Sequence, residues 1–184
     1  MRPVSARLTR RAALGGVAAV ALGSCGGDDP PPTDEPEAGS GAALLGSLAA
    51  LEHASAAAWD AIGERLDGEA RRYAAAIGDR ERRHAERLSA LIRELGGEPP
   101  QGRSPEDYET QFPLMRTEAE ALRFAADVEE QLIREHLDAL RSLPREDQRR
   151  AVAEIATEEA EDLAVAHSLA GQPAAQHPFV TGMQ

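Results

Sequence analysis

Stretches of this chain repeat one pattern: apolar residues at alternating steps of three and four, with an acid set into the stripe near its middle. The first runs Leu45, Leu48, Glu52, Ser55, Trp59, Ile62 and Leu66. The second runs Ala70, Ala74, Ile77, Glu81, His84, Leu88, Leu91 and Leu95, and the third Leu122, Ala125, Glu129, Leu132 and His136. Such steps line one face of a helix, so each stretch predicts an amphipathic helix that turns a carboxylate toward its own core. A fourth helix is expected over residues 145–169, giving helices at about 42–66, 69–95, 117–143 and 145–169. Asp67-Gly68, the Gly96, Gly97, Pro99 and Pro100 cluster, and Pro144 supply the breaks between them. Aromatic residues are only 3% of the chain while Ala, Leu, Glu and Arg dominate, which favours helix over sheet.

The connections set the topology. The first and second helices meet in a tight turn, as do the third and fourth, so each pair is an antiparallel hairpin. Residues 96–116 show no clear helix, and their 21 residues can extend roughly 70 Å, enough to run the length of a helix of about 40 Å. The expected fold is all-α: a four-helix bundle over residues 42–170, built from two antiparallel helical hairpins joined by a long crossover.

Acid spacing links the halves. Glu52 to Glu81 is 81 − 52 = 29 residues, and Glu129 to Glu158 is 158 − 129 = 29. Glu52 lies 15 residues before the first turn near residue 67 and Glu81 lies 14 after it, so the two sit level, about 20 Å from the turn. Shifting the first hairpin by 77 residues lays Glu52 on Glu129, Leu66 on Leu143, Arg72 on Arg149 and Glu81 on Glu158. Four carboxylates from four helices thus converge on one layer. The repeat favours Glu158 with Glu161 on the fourth helix; the stripe Val152, Ile155, Ala166 and Leu169 favours Glu159 with Asp162 instead.

With Glu81 and His84 three apart on one helix face, residues 42–170 resemble the ferritin-like superfamily, which includes ferritins and rubrerythrins. The resemblance implies two iron or manganese ions held by single Glu residues from two helices and Glu-x-x-His pairs from the other two. Carried over, Glu52 and Glu129 are the single acids, Glu81 with His84 is one pair, and Glu158 with Glu161 stands where the second pair is expected. Glu161 replaces the second His, a departure that resembles ferritin proper more than rubrerythrin. Trp59 follows Glu52 by seven residues, where the family has Tyr, and His136 follows Glu129 by the same seven. The family implies oxygen or peroxide chemistry or ferrous-iron oxidation. The alternative is a non-catalytic bundle with a degenerate site and no cofactor, acting as a cell-surface interaction or envelope protein.

Energetics point toward a cation independently. Each unpaired buried carboxylate costs several kcal/mol, so five would rival a domain stability of about 5 to 15 kcal/mol. An oxygen-rich site with one imidazole suits iron or manganese better than zinc or copper. Water entering beside the Ala- and Ser-rich first helix is the competing explanation.

Residues 1–25 carry Arg2, Arg7, Arg10 and Arg11, no acid, and a mild apolar run at residues 12–23, too short to span a bilayer well. This is an export signal; "TRRAAL" resembles a twin-arginine signal, with general secretion as the alternative. "LGSC" resembles a bacterial lipobox ending at Cys25, the chain's one Cys, which excludes an intrachain disulfide. Cleavage before Cys25 leaves 20 − 4 = 16 Arg against 32 acids, a net charge of −16. The expected product is lipid-anchored through Cys25 on the outer face of the cytoplasmic membrane, its residues 26–41 forming an acidic, Pro- and Gly-rich tether. Residues 171–184 form a C-terminal tail in which Phe179 and Val180 are able to dock on the bundle.

The acidity repels nucleic acid, since net charge is −12 with a pI near 4.9. A redox partner stays unassigned, a homodimer stays open, and the tether makes a hollow storage shell awkward. His53 is expected to be solvated or to stand behind the ligands; His167 and His177 receive no role. The arginines of "RERRHAER" are expected to pair within their helix with acids such as Glu86. No Gly-rich phosphate loop, nucleophile elbow or paired-Cys zinc pattern is present.

Overall fold

The computed structural model describes residues 36–174. The residues read as an export signal, Cys25, most of the stretch read as a tether, His177, Phe179 and Val180 lie outside the described residues. Five helices make up the described part: α1 (Pro36–Gly63), α2 (Gly68–Glu94), α3 (Pro105–Glu109), α4 (Glu118–Leu140) and α5 (Glu146–Leu169). Among the described residues there is no strand, and no helix is long and apolar enough to cross a membrane.

Helix α1 begins six residues before the expected position at residue 42, inside the stretch read as tether. Pro36 opens it, where a missing N–H costs nothing and the fixed φ suits the first helical residue. Helix α3 interrupts the crossover where no helix was expected. Its signal is local: the Ser104 side chain accepts from the Asp107 amide and Pro105 takes the first helical position. Thr117 and Glu120 close a reciprocal capping box at the start of α4.

Helices α2 and α5 end alike. Gly96 and Gly171 adopt φ of +76° and +68°, and the amides of Gly97 and Gln172 donate back to the carbonyls of Ile92 and His167 at 2.9 and 2.8 Å. Both are Schellman closures, which need a left-handed residue that glycine supplies without a Cβ clash.

Helices α1 and α2 form one hairpin and α4 and α5 the other; the hairpins meet along α1 with α4 and α2 with α5, and α3 packs on α1. Two apolar clusters reveal the relative directions. At one end Trp59, Ile62 and Leu66 of the first hairpin pack with Ile77, Ala121, Leu122, Ala125 and Ala166. At the other, Leu45, Leu48, Leu88 and Ile92 pack with Ala139, Leu143, Val152 and Ile155. The end of α1 therefore lies beside the start of α4, and every neighbouring pair is antiparallel. This is the expected bundle with its expected long crossover.

Between those clusters runs a polar layer. Glu52, Glu81, Glu129, Glu159 and His136 are wholly buried, and Asp162 and His84 are 1% and 4% exposed. The core is thus two apolar plugs around a charged disc. Leu88, one turn from His84 and fully buried, belongs to the second plug. Leu88→Ala should cost about 2–5 kcal/mol of unfolding free energy in denaturant titrations, the range for emptying a tight core site; a loss under about 1 kcal/mol would contradict the plug.

Candidate metal centre

Each element of the bundle contributes from its middle. Helix α1 supplies Glu52, α2 supplies Glu81 and His84, α4 supplies Glu129 and α5 supplies Glu159 and Asp162. The four residues expected on the first three helices are therefore in the layer. On α5 the repeat-based register is corrected: Glu161 is exposed, Glu158 is only partly buried, and Glu159 and Asp162 face inward.

The reason for that correction is one residue in a turn. Four residues, 64–67, separate α1 from α2, whereas five, 141–145, separate α4 from α5. The level partner of Glu129 consequently stands 159 − 129 = 30 residues on, not 29. Helical phase then places Val152, Ile155, Glu159, Asp162 and Ala166 on one buried stripe, at steps of three and four.

Ligand-type atoms of Glu52, Glu81, His84 and Glu159 all lie within 4.8 Å of one another. His84 Nδ1 stands 2.8 Å from Glu159 Oε1 and 3.5 Å from Glu52 Oε2. These approaches are close enough for charge pairing yet outside hydrogen-bond alignment: both oxygens of Glu52, Glu81 and Glu159, and His84 Nδ1 itself, have no hydrogen-bond partner. The other ring nitrogen, Nε2, is 3.2 Å from Glu158 Oε2. With the proton on Nε2 and donated to Glu158, the Nδ1 lone pair faces the cluster, as in carboxylate–histidine–metal arrangements. Glu158 thus stands behind His84, on the outside of the layer.

The two single acids are held by a crossed pair. Trp59 Nε1 donates to Glu129 Oε1 at 2.5 Å, and His136 Nε2 lies 2.9 Å from Glu52 Oε1. Each partner stands seven residues after the acid of its own helix and reaches the acid of the other. His136 Nδ1 donates to the Leu132 carbonyl at 2.8 Å, which leaves Nε2 to face Glu52. Sequence spacing marked His136 as the counterpart of Trp59; its contact with Glu52 follows only from the packing of α1 on α4.

Arg80 is the residue that spacing missed. Its Nη2 lies 3.4 Å from Asp162 Oδ1, across from α2 to α5. The neighbouring arginines pair within their helix only in part: Arg82 meets Asp79 one turn away but also reaches Asp60 on α1, and Arg87 reaches Glu154 on α5. His53 is half-buried against Gly102 of the crossover, and His167 Nδ1 donates to the Ala174 carbonyl at 3.4 Å.

Crowding sets the protonation of the layer. Burial, then the charges of Glu159, Glu52 and Glu129, raises the Glu81 carboxyl well above its ordinary value of 4.5, and burial with Glu159 raises Glu129 likewise. Burial lifts Asp162 from 3.8 to about 7 against the pull of Arg80. Burial alone would lift Glu52 too, but contacts with His136 and His84 bring it down to about 2. Burial opposes the charge on His84, yet Glu159 and Glu52 outweigh it and raise the imidazole from 6.5 to about 10; His136 rises through Glu52 in the same way. The ion-free cluster therefore takes up protons that a cation would displace.

These residues fit a metal. The layer presents carboxylate oxygens without hydrogen-bond partners and one imidazole nitrogen whose proton a cation would displace, all within 4.8 Å in the group of Glu52, Glu81, His84 and Glu159, a hard oxygen-rich donor set for iron or manganese.

A pH test follows from Asp162. Its raised pKa makes the protonated form favour folding, a contribution whole below about pH 4 and lost as pH climbs through about 7. Asparagine cannot ionise. In urea unfolding of chelator-treated protein, the stability of Asp162→Asn relative to the natural chain should increase steadily from pH 4 to pH 7; a pH-independent difference would refute the raised value.

Comparison with known proteins bears on this geometry. A family model described as a ferritin-like domain matches residues 42–172. Comparison with curated proteins gives no match. Among solved structures, the chain is similar to a conserved hypothetical protein from Mycobacterium tuberculosis, with a TM-score of 0.65 and 15% identity over 74% of this chain and 99% of that one. It is also similar to the bacterioferritin of Desulfovibrio desulfuricans, a structure described with a diiron site, with a TM-score of 0.60 and 20% identity over 82% and 98% of the two chains. At those identities the likeness speaks for the fold, while the family match spans most of the chain. With its bundle, its crossover and its buried Glu and His layer, the chain belongs to the ferritin-like domain family.

Proposed function

We propose that this is an exported, membrane-tethered ferritin-like protein whose bundle binds iron or manganese and handles oxygen, peroxide or ferrous iron. One observation carries the reading: three carboxylates and an imidazole, those of Glu52, Glu81, Glu159 and His84, converge between two apolar plugs, buried, with neither oxygen of any of the three acids nor His84 Nδ1 in a hydrogen bond. Leaving such charges uncompensated costs several kcal/mol each, and divalent cations offset that cost. When bound, such ions supply the one-electron steps by which oxygen or peroxide is reduced or ferrous iron oxidised.

The protein's own part is to hold and shield. Trp59 and His136 orient Glu129 and Glu52, Glu158 sets the tautomer of His84, and the apolar clusters on either side limit water at the layer. Export and anchoring are supported by Arg10 and Arg11 ahead of the apolar run and by the lipobox-like residues before Cys25.

A second reading, a non-catalytic bundle with a degenerate site, draws on one feature: Asp162, tied to Arg80, stands where a second imidazole would be expected. Metal analysis separates the two. Protein purified from cells grown with iron and manganese should carry bound metal, which Glu81→Ala and His84→Ala should each largely remove. Metal-free natural protein would sink the first reading. Ion at 100 times Kd should stabilise the fold by about 2.7 kcal/mol, roughly 5–10 °C in melting temperature, and a chelator should abolish the gain.

Localisation is tested separately. Labelled palmitate should enter the natural chain and not Cys25→Ser. Replacing Arg10 and Arg11 by Lys should block export, and unchanged export would point to the general secretory route.

A further inference from the structure

One buried hydroxyl beside the polar layer is left unused. Ser55 lies on the stripe of α1 that carries Glu52 one turn before it and Trp59 one turn after it, and it is 3% exposed. Both of those neighbours reach the layer: Glu52 meets His84 and His136, and Trp59 donates to Glu129. Helical side chains lean toward the N-terminus of their own helix, so Ser55 leans toward Glu52 and the layer, away from the apolar plug that holds Ile62 and Leu66.

Hydroxyls inside helices commonly bond the carbonyl one turn back. Ser47 and Thr157 do so here, donating to the Ala43 and Ala153 carbonyls at 3.2 and 2.9 Å. Ser55 Oγ does not, and among the described residues it is the one hydroxyl buried without any hydrogen-bond partner. Leaving it so costs stability that alanine, the residue at 56, 57 and 58, would not.

The remaining side-chain donors at the layer already face acids: Trp59 on Glu129, His136 on Glu52, His84 between Glu158 and Glu159, and Arg80 on Asp162. Ser55 adds what they lack, a neutral group able to donate and accept at once. A cation gains little from it, with carboxylate oxygens at hand. Dioxygen is a feeble acceptor and donates nothing. Hydrogen peroxide both donates and accepts, and so matches the hydroxyl on both counts.

Resting on the metal-binding reading above, we propose that Ser55 is a substrate-binding residue that holds hydrogen peroxide beside the centre. Its hydroxyl donates to a peroxide oxygen and accepts from a peroxide O–H. The substrate class of the centre is accordingly a peroxide rather than ferrous iron in transit.

Full-length protein loaded with ferrous iron, whose ions supply the electrons, tests this in stopped flow. Ser55→Ala should carry as much metal as the natural chain, while the peroxide concentration that half-saturates oxidation rises about fivefold, the worth of one hydrogen bond. The limiting rate, and the rate with dioxygen in place of peroxide, should be little changed. Ser55→Thr keeps the hydroxyl and should recover most of the peroxide affinity. Stripped with chelator, Ser55→Ala should melt no lower than the natural chain, because it loses an unsatisfied hydroxyl and no bond. Unaltered half-saturation in Ser55→Ala, equal slowing with both oxidants, or a lower melting temperature of the stripped variant overturns the proposal while leaving metal binding intact. No metal in the natural chain overturns both.

Discussion

Everything in this bundle is arranged around the cost of keeping five carboxylates in one buried layer. Placed in an apolar core without partners, they would push one another toward protonation and the helices apart, since each burial penalty is comparable to a sizeable share of a domain's net stability. Three devices offset it: the imidazoles of His84 and His136 lying among Glu52, Glu158 and Glu159, the indole of Trp59 on Glu129, and the guanidinium of Arg80 on Asp162. They leave a defined set of oxygens uncompensated, and those oxygens converge. The apolar plugs above and below serve the same end by fixing helix register, because a layer misaligned by one turn would bury its acids against leucine.

The crossed contacts of α1 and α4 show how the duplicated plan is used. Each of these helices carries an acid and, seven residues later, a donor that reaches the other helix's acid. This works only because the helices run antiparallel, so that two turns forward on one brings its donor toward the partner's acid. Helices α2 and α5 follow a different rule. There the ligand-type pair lies three residues apart on one face, and the group behind it comes from the opposite helix: Glu158 behind His84 and Arg80 beside Asp162.

Much of this was legible in the residue pattern, for physical reasons. Helical periodicity says which face is buried without knowing the partner, so Glu52, Glu81, His84 and Glu129 could be assigned to the core. Connection length says which helices can be neighbours, so the hairpins and crossover could be drawn. The repeat argument failed on α5 because it assumed equal turns, and one extra residue between α4 and α5 rotates every later side chain by about 100° relative to the repeat. The buried stripe of α5 held the right answer, since Val152, Ile155, Glu159, Asp162 and Ala166 share one phase. Helix α3, one short turn with a Ser cap and a leading Pro, was too brief to carry a period.

The sequence alone determined an all-helical chain of two hairpins with acids level at mid-height, because spacing along a helix is a property of the chain itself. Tertiary structure decided which acids meet and what stands behind them. Arg80 looked like one charge in a solvated run until α5 brought Asp162 beside it. His136 was a positional echo of Trp59 until α1 brought Glu52 to its ring. Those assignments depend on the rotation and direction of neighbouring helices, which are set by packing between distant segments and leave no period in either one.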